Sequence, residues 1–322
     1  PFLTESTRPT VTAPPNSRLD GSRSKQRRGR HRRYKLPWLT STMTCQEAFR
    51  AIARGCLDDL AANQQATCEG NREALHQMRI ALTRLRAARS LFSSFIPSSD
   101  WSPLKGELKW LNKRLSGARD LDVTLKRLSS IEDTSPQQSL GRAWRKTWNS
   151  SHRELSRALQ SRRYRTLLRD MSIWIENGNR SPDSLQPSTS LTTYSDRRLQ
   201  RWHKKLIKKS RVLEDMNASQ RHRLRIQSKR FRYALEVLGP LLPGQSDVRV
   251  RECLKSLRKI QKYLGQLNDA EQGRVIATTL AKSTRDDGPG WRSLFPTGRK
   301  ARKRMVKTAA LTFRQMAELK PF

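Results

Sequence analysis

The spacing of apolar residues predicts that most of this chain folds into amphipathic helices. Apolar positions recur every three or four residues, which is the period of an α-helix, and stretches that contain proline or glycine interrupt the pattern. Pro97 and Pro240 fall where two of the patterns stop, because proline lacks the N–H that a continuing helix needs. The predicted helical segments run over about 44–63, 72–95, 103–128, 139–176, 193–213, 222–239 and 247–282.

One of these helices occurs twice in the chain. Residues 76–86 (HQMRIALTRLR) return as residues 222–232 (HRLRIQSKRFR), and five of the eleven positions are identical. Each copy is followed by a second match, in which residues 108–120 correspond to residues 257–269. Because a recurring supersecondary unit is the signature of repetition, we expect an all-α protein that consists of two related halves.

Both copies of the repeated helix carry a cationic face beside an apolar face. At about 100° per residue, the four positions that make up this face in each copy fall within roughly 80° of arc. These positions are His76, Arg79, Thr83 and Arg86 in the first copy and His222, Arg225, Lys229 and Arg232 in the second. Arg84 and Arg230 lie off both faces and receive a weaker role. The helix after the first copy has a polar stripe of Lys105, Lys109, Asn112, Ser116 and Arg119.

The charge of the chain predicts a polyanionic partner. Lys and Arg number 66 against 28 Asp and Glu, which gives a formal net charge of +38. Arginine suits phosphate because its planar fork makes bidentate contacts and stays charged. We expect His76 and His222 to face one anion-lined groove with a pKa near neutrality. Charge alone does not distinguish nucleic acid, polyphosphate, an anionic membrane surface or acidic protein.

The sequence offers no motif for catalysis. It contains no Walker loop, nucleophile elbow or metalloprotease motif. Its four cysteines have no zinc-type spacing and are interpreted as free thiols. Asp120, Asp122, Asp269 and Glu271 could hold a divalent ion, but we favour salt bridges to arginine, since residues two apart do not share a helix face. We therefore predict no catalytic residue, metal site or cofactor.

The repeated motifs resemble the CHAD domain, the conserved histidine α-helical domain. The resemblance is carried by His-x-x-Arg at 76–79 and 222–225, Arg-Asp-Leu-Asp at 119–122, Leu-Gly-x-Leu-Asn-Asp at 264–269, and the segments 161–168 and 230–236. It implies two pseudo-symmetric antiparallel helical bundles around a basic central groove or channel that binds inorganic polyphosphate. Thr83 and Ser116 depart from the basic residue and the glycine of the second copy, so the halves are not expected to contribute equally.

The expected organisation is a CHAD-like domain between two basic ends. The predicted divisions are a disordered basic tail (1–40), a CHAD-like domain (41–282) with bundles at about 41–176 and 193–282 joined by a linker (177–192), and a basic C-terminal extension (283–322). The residues predicted to bind polyphosphate are His76, Arg79, Arg84, Arg86, Lys105, Lys109, His222, Arg225, Lys229, Arg230, Arg232 and Arg258.

The function predicted from these observations is non-enzymatic binding of inorganic polyphosphate. The alternative is a sequence-independent nucleic-acid-binding protein that uses the same cations and its basic tails. A third, weaker hypothesis is a phosphohydrolase or an accessory activity in polyphosphate synthesis. We expect a cytoplasmic protein, because no apolar run reaches the roughly 18 residues that a spanning helix needs. Association with polyphosphate granules is a separate expectation, which follows from the predicted ligand.

Overall fold

The computed structural model describes residues 32, 36–96, 98–128, 135–177, 190–242, 246–284 and 298–319. These residues are mainly α-helical, and no β-strand occurs among them, so the predicted all-α fold class is confirmed. The α-helices of the described residues, in chain order, are α1 (Cys45–Ala62), α2 (Gln64–Cys68), α3 (Arg72–Leu91), α4 (Ser98–Leu128), α5 (Ser135–Gln160), α6 (Arg162–Asn177), α7 (Leu191–Ser210), α8 (Ala218–Leu238), α9 (Ser246–Thr284) and α10 (Arg299–Glu318).

Helix α1 begins where the sequence places its N-cap. The Thr44 hydroxyl accepts a hydrogen bond from the Glu47 N–H at 3.2 Å, and the Glu47 carboxylate accepts one from the Thr44 N–H at 2.8 Å. An equivalent box between Asn217 and Gln220 opens α8. These reciprocal bonds satisfy donors that the first turn of a helix leaves unpaired. The starts of α1 and α8 are therefore fixed by local sequence.

Helix α4 starts earlier than the sequence predicts. It begins at Ser98, so Pro103 lies inside the helix and not at its first turn. Trp101 packs beside Trp174 with ring centroids 5.0 Å apart, and this tertiary contact holds the turn before the proline in helical form. The prediction of a loop over 131–138 is also wrong for its last four residues, because α5 begins at Ser135.

Helices α3 and α8, which contain the repeated sequence, pack against each other. Helix α3 also packs against α1 and α4, and α8 packs against α7 and α9. Their apolar faces supply much of the core, with Leu75 and Leu82 on α3 and Phe231 and Leu235 on α8 almost fully buried. The two copies of the repeat therefore lie side by side, each held by its own neighbours.

The last helix, α10, is part of the packed structure. It lies in the region predicted as a basic C-terminal extension and packs against α9 and α7. Val306, Phe313 and Met316 are buried, whereas Lys303 and Arg304 are exposed. The region after residue 283 thus contributes to the core as well as to the positive charge.

Some predicted segments lie outside the described residues. This applies to most of the tail (1–40) and most of the linker (177–192), which stay predictions. Within the tail, the main chain of Arg32 exchanges two 3.0 Å hydrogen bonds with the Asn63 side chain, next to the end of α1.

All four cysteines are free thiols. In the part of the chain that the structure describes, no helix is long and apolar enough to cross a membrane.

We expect Leu82→Ala to lower the free energy of unfolding by about 2–5 kcal/mol, because it removes a fully buried side chain from the centre of α3 and leaves a cavity. Urea denaturation measures the change. The matched control is Leu311→Ala on α10, which truncates a side chain that is 52 % exposed and should cost about 0.5 kcal/mol or less. Equal losses in the two variants would contradict the packing described for α3.

Candidate polyanion-binding site

The cationic faces of α3 and α8 meet where the two helices pack together. Arg79 from α3 and Arg225 from α8 lie close enough to Lys229 to disfavour the protonation of its amine. His76 lies near Lys229 as well, although the two side chains belong to different copies of the repeat. Charged residues from α4 and α9 complete the group, which we call the central cluster. Its members are His76, Arg79, Arg119, Asp120, Arg225, Lys229 and Asp269.

Two carboxylates offset part of the positive charge in the central cluster. Arg79 Nη1 lies 3.6 Å from Asp120 Oδ1, and these side chains are 32 % and 36 % exposed. Burial raises the pKa of Asp120, the Arg79 guanidinium opposes the rise, and the Asp269 carboxylate adds to it. The remaining cations outnumber the carboxylates, so the cluster keeps a positive charge that an anion can neutralise.

Lys229 is the most perturbed cation of the cluster. Burial, together with the neighbouring Arg225 and Arg79 guanidinium groups, lowers the pKa of its amine to about 7, while Asp269 opposes them. Arg232 on the same helix contributes in the same direction as the other arginines. At neutral pH the amine is therefore only partly protonated, and a nearby anion would favour its charged form.

His76 differs from the expectation of a pKa near neutrality. Burial lowers the pKa of its imidazole to about 4, and the Arg119, Arg79 and Lys229 charges act in the same direction, against a smaller opposing effect of Glu73. The ring is therefore neutral at physiological pH in the free protein. It offers one N–H donor in that state, and it gains a second when an anion stabilises its protonated form.

Arg225 has an unsatisfied donor beside α9. A Cβ atom added to Gly265 would stand 3.7 Å from Arg225 Nε, so the guanidinium lies within contact distance of the glycine. Arg225 Nε is buried and has no hydrogen-bond partner among the described residues. A buried N–H without an acceptor costs free energy, which an oxygen ligand would recover. The first copy of the repeat has Ser116 at the position of Gly265.

A buried carboxylate holds one edge of the central cluster in place. Asp122 accepts a hydrogen bond from Trp148 Nε1 at 2.7 Å, and His152 Nε2 lies 3.1 Å from the same oxygen. Arg72 Nε and Arg119 Nη1 approach the carboxylate at 3.5 Å and 4.0 Å. The predicted salt bridges from this acid to neighbouring arginines are therefore present, and they position Arg119 from α4 beside α3.

Two of the predicted phosphate ligands have partners within the protein. Arg84 Nη2 lies 3.4 Å from Glu236 Oε2, and Arg232 Nη1 donates to Glu236 Oε1 at 2.7 Å. Both guanidinium groups also lie over the Tyr233 ring, with distances to its centroid of 5.1 Å and 4.6 Å. These contacts tie α3 to α8, a role that the sequence prediction did not include.

The other predicted cations are spread over several surfaces. Arg86 Nη2 donates to a main-chain carbonyl of α4 at 3.0 Å, and its pKa is lowered by burial and by the nearby Arg230 charge. Lys105 and Lys109 on α4 and Arg258 on α9 have exposed side chains. None of these five residues belongs to the central cluster.

His222 has different surroundings from its counterpart His76. Its ring is exposed, and Nδ1 lies 2.6 Å from Asn268 Oδ1, which accepts the hydrogen bond. It lines a cavity of about 290 Å³ together with Glu271 and Arg302. The two histidines hold the same position in the repeat, but only His76 lies among the charges of the central cluster.

Three members of the central cluster are absent from the sequence-predicted site. Arg119 shares the polar stripe of α4 with Lys105 and Lys109, and that spacing was the available signal for it. Asp120 and Asp269 close the two matched segments of the repeat, and sequence reasoning considered them only as metal ligands or salt-bridge partners. Their effect on the cluster depends on contacts between α4, α9 and α3, which sequence spacing does not specify.

The fold and the site together define an all-helical protein in which two related helices gather cations around a few carboxylates. The chain belongs to the CHAD domain family, whose model matches residues 51–277. This match confirms the resemblance read from the repeated motifs.

Two solved structures are similar to this chain. The crystal structure of the CHAD domain from the plant Ricinus communis has a TM-score of 0.74 and 27 % sequence identity, covering 91 % of this chain and 98 % of that chain. PptA from Streptomyces chartreusis has a TM-score of 0.58 and 15 % identity, covering 86 % of this chain and 100 % of that chain, and this second likeness concerns the fold alone. No curated protein sequence matches the chain.

We expect one lysine side chain to titrate with a midpoint near pH 7, because burial and neighbouring arginines lower the pKa of Lys229 to about 7. The measurement is an NMR titration of lysine Cε resonances in the folded protein. Lys229→Arg serves as the assignment control and should abolish the near-neutral transition. A spectrum in which every lysine stays charged well above pH 7, or in which the transition survives in Lys229→Arg, would contradict the described environment.

Proposed function

We propose that this protein is a non-enzymatic binding module for inorganic polyphosphate. The observation that carries the proposal is the convergence of Arg79, Arg225 and Lys229 from two different helices on one partly buried region with a surplus of positive charge. A linear chain of phosphates presents closely spaced negative oxygens, so it can meet cations from both helices at once. Membership of the CHAD domain family favours polyphosphate among the possible polyanions.

The chemistry of the central cluster supports binding of phosphate oxygens. Arg79 and Arg225 supply guanidinium forks that can form two parallel hydrogen bonds to a phosphate. His76 and Lys229 are largely or partly neutral in the free protein and become protonated more readily beside an anion. Binding then replaces repulsion among partly buried cations with ion pairs. The favourable electrostatic free energy of binding is therefore largest for a ligand that carries many negative charges.

Nucleic acid is the main competing ligand class. Its backbone phosphates can use the same cations, but recognition of bases requires exposed aromatic rings or side chains that reach base edges. Trp144 and Trp174 are buried, and Trp148 donates to Asp122, so these rings serve the fold.

A cytoplasmic location and an association with polyphosphate granules remain predictions from the sequence.

A competition titration tests the choice of ligand. The purified chain is titrated with long-chain polyphosphate, single-stranded RNA and duplex DNA, matched in phosphate concentration, at a low and a high salt concentration, because salt governs all such affinities. We expect polyphosphate to displace both nucleic acids and to remain bound at the higher salt. Displacement of polyphosphate by RNA or DNA would contradict this proposal and would favour nucleic-acid binding as the function.

We expect Arg79→Ala combined with Arg225→Ala to weaken polyphosphate binding at least about tenfold at fixed salt. The estimate rests on about 1.5–3 kcal/mol for each hydrogen bond to a charged group, where about 1.4 kcal/mol corresponds to a factor of ten. Isothermal titration calorimetry measures the affinity, and circular dichroism confirms that the helices are intact.

The matched control for this double variant is Arg54→Ala combined with Arg169→Ala. It removes the same amount of positive charge from exposed ion pairs with Glu176 and Asp170, away from the central cluster. The control should keep nearly the affinity of the unmodified protein. If both double variants lose affinity equally, net charge and not the central cluster determines binding.

We also expect polyphosphate affinity to fall as the pH rises above about 7. Free Lys229 has its pKa lowered to about 7, and bound phosphate favours the ammonium, so binding takes up a proton. The affinity contribution of Lys229 is complete below the free pKa, decreases above it, and is lost as the pH rises through the higher pKa of the bound state. Lys229→Arg keeps a permanent charge and should flatten this dependence, whereas an equally steep profile in that variant would exclude Lys229 as its source.

A further inference from the structure

A second basic cavity lies outside the central cluster, between α3, α7 and α8. Its volume is about 280 Å³, and its polar lining combines one end of α3 with a face of α7 and the middle of α8. The side chains that give it its character are Ser90, Arg198, Arg201, Lys205, Gln227 and Arg230. Four of these six are cations and none is acidic.

The same place in the first half of the chain is neutralised by acids. The two copies of the repeat are related by 146 positions, as in His76 and His222, and the same shift relates the helix caps Thr44 and Ser190. Under this shift Arg230 corresponds to Arg84. Arg84 lies 3.4 Å from Glu236 on α8, and Asp59 on α1 is close enough for Arg84 to affect its pKa.

Under the same shift of 146 positions, neither acid corresponds to another acid. The position that corresponds to Glu236 is occupied by Ser90, and the position that corresponds to Asp59 is occupied by Lys205. Two uncharged positions, Ile52 and Gly55, become Arg198 and Arg201. The arginine shared by both halves is therefore paired with carboxylates in one half and surrounded by further cations in the other.

The cations of the cavity have donors to spare. Arg198 Nη2 donates to Ser90 O at 2.8 Å and to Ser93 Oγ at 3.1 Å, which fixes the guanidinium at the cavity wall. Its Nε is buried and has no hydrogen-bond partner among the described residues. Within those residues, no carboxylate lies within 4.0 Å of Arg201, Lys205 or Arg230. The positive charge of this cavity is thus held in place without a counter-charge within 4.0 Å of Arg201, Lys205 or Arg230 from the residues that the structure describes.

From this arrangement we infer that the cavity between α3, α7 and α8 is a second phosphate-binding site, which takes a short chain of phosphate groups. Fixed guanidinium groups together with a flexible ammonium match several phosphate oxygens at once. The volume suits a few linked phosphates and excludes a folded macromolecule. The site shares its ligand chemistry with the proposed function but does not depend on the central cluster, because its cations are different residues.

The cavity also lies near one cation of the neighbouring helix face. The Arg230 charge lowers the pKa of Arg86, which donates to α4. Two kinds of ligand can supply the phosphate groups that bind in the cavity. One is a free short-chain phosphate, and the other is a segment of a long polyphosphate that also occupies the central cluster. The two sources are separated by the length of the ligand used in the test.

The test introduces, in the full chain, carboxylates at the two cavity positions that correspond to Glu236 and Asp59. Ser90→Glu introduces the carboxylate that Glu236 supplies to Arg84, and Lys205→Asp introduces the one that Asp59 supplies. Calorimetric titration with tripolyphosphate is expected to show two binding steps in the unmodified protein and to lose one step in each variant. Arg79→Ala combined with Arg225→Ala should lose the other step, so failure of the central cluster and failure of this cavity give different results.

The matched control is Lys204→Asp, which makes the same charge change at the neighbouring exposed position of α7, outside the cavity. It should keep both steps. Unchanged steps in folded Ser90→Glu and Lys205→Asp, or an equal loss in Lys204→Asp, would overturn the second site. If the two cavity variants also weaken long-chain polyphosphate, the cavity holds part of the same polymer, and if they affect only tripolyphosphate, it holds a separate short chain.

Discussion

The packing of α3 against α8 is the constraint on which the rest of this structure depends. Each helix carries a cationic face directly beside its apolar face, so burying the apolar residues necessarily brings the two cationic faces near each other. The repulsion that results is reduced in two ways. Asp120 and Asp269 supply negative charge, and His76 and Lys229 lower their own charge because burial favours their neutral forms. The folded protein therefore retains repulsion among its clustered cations, which a bound polyanion would reduce. Such binding would stabilise the folded state by mass action.

A small number of buried or half-buried acids decides which cations remain available to a ligand. Asp122 engages Arg119 and Arg72 and fixes their positions through Trp148 and His152 on α5. Glu236 engages Arg84 and Arg232 and joins the two central helices. Arginines that have such partners act chiefly as structural connections, because separating them would leave a partly buried charge unpaired. The candidate binding surfaces are formed by cations such as Arg225 and Arg230, which have no carboxylate within 4.0 Å among the described residues.

The two copies of the repeated sequence, on α3 and α8, have different electrostatic surroundings. Asp59 on α1 lies close to Arg84, whereas the corresponding position on α7 is Lys205, which is accompanied by Arg198 and Arg201. His76 is half-buried among charges, and His222 is exposed and bonded to Asn268. A repeated sequence therefore does not produce two equivalent sites, because a few substitutions on the flanking helices change the field around an unchanged arginine.

The sequence by itself determined the all-α class, the family, several helix boundaries and the core of the candidate site. Apolar periodicity and capping residues act over three or four positions, so Thr44, Arg79 and Lys229 could be assigned from local pattern alone. It did not determine the roles of Arg84 and Arg232, the neutral state of His76, or the cavity formed with α7. The pairing of Arg84 with Glu236, the burial of His76 and the cavity arise from contacts between different helices, where burial and neighbouring charges fix protonation and pairing. Only the tertiary structure brings these groups together, because helix period specifies which face a residue occupies and not which distant helix packs against that face.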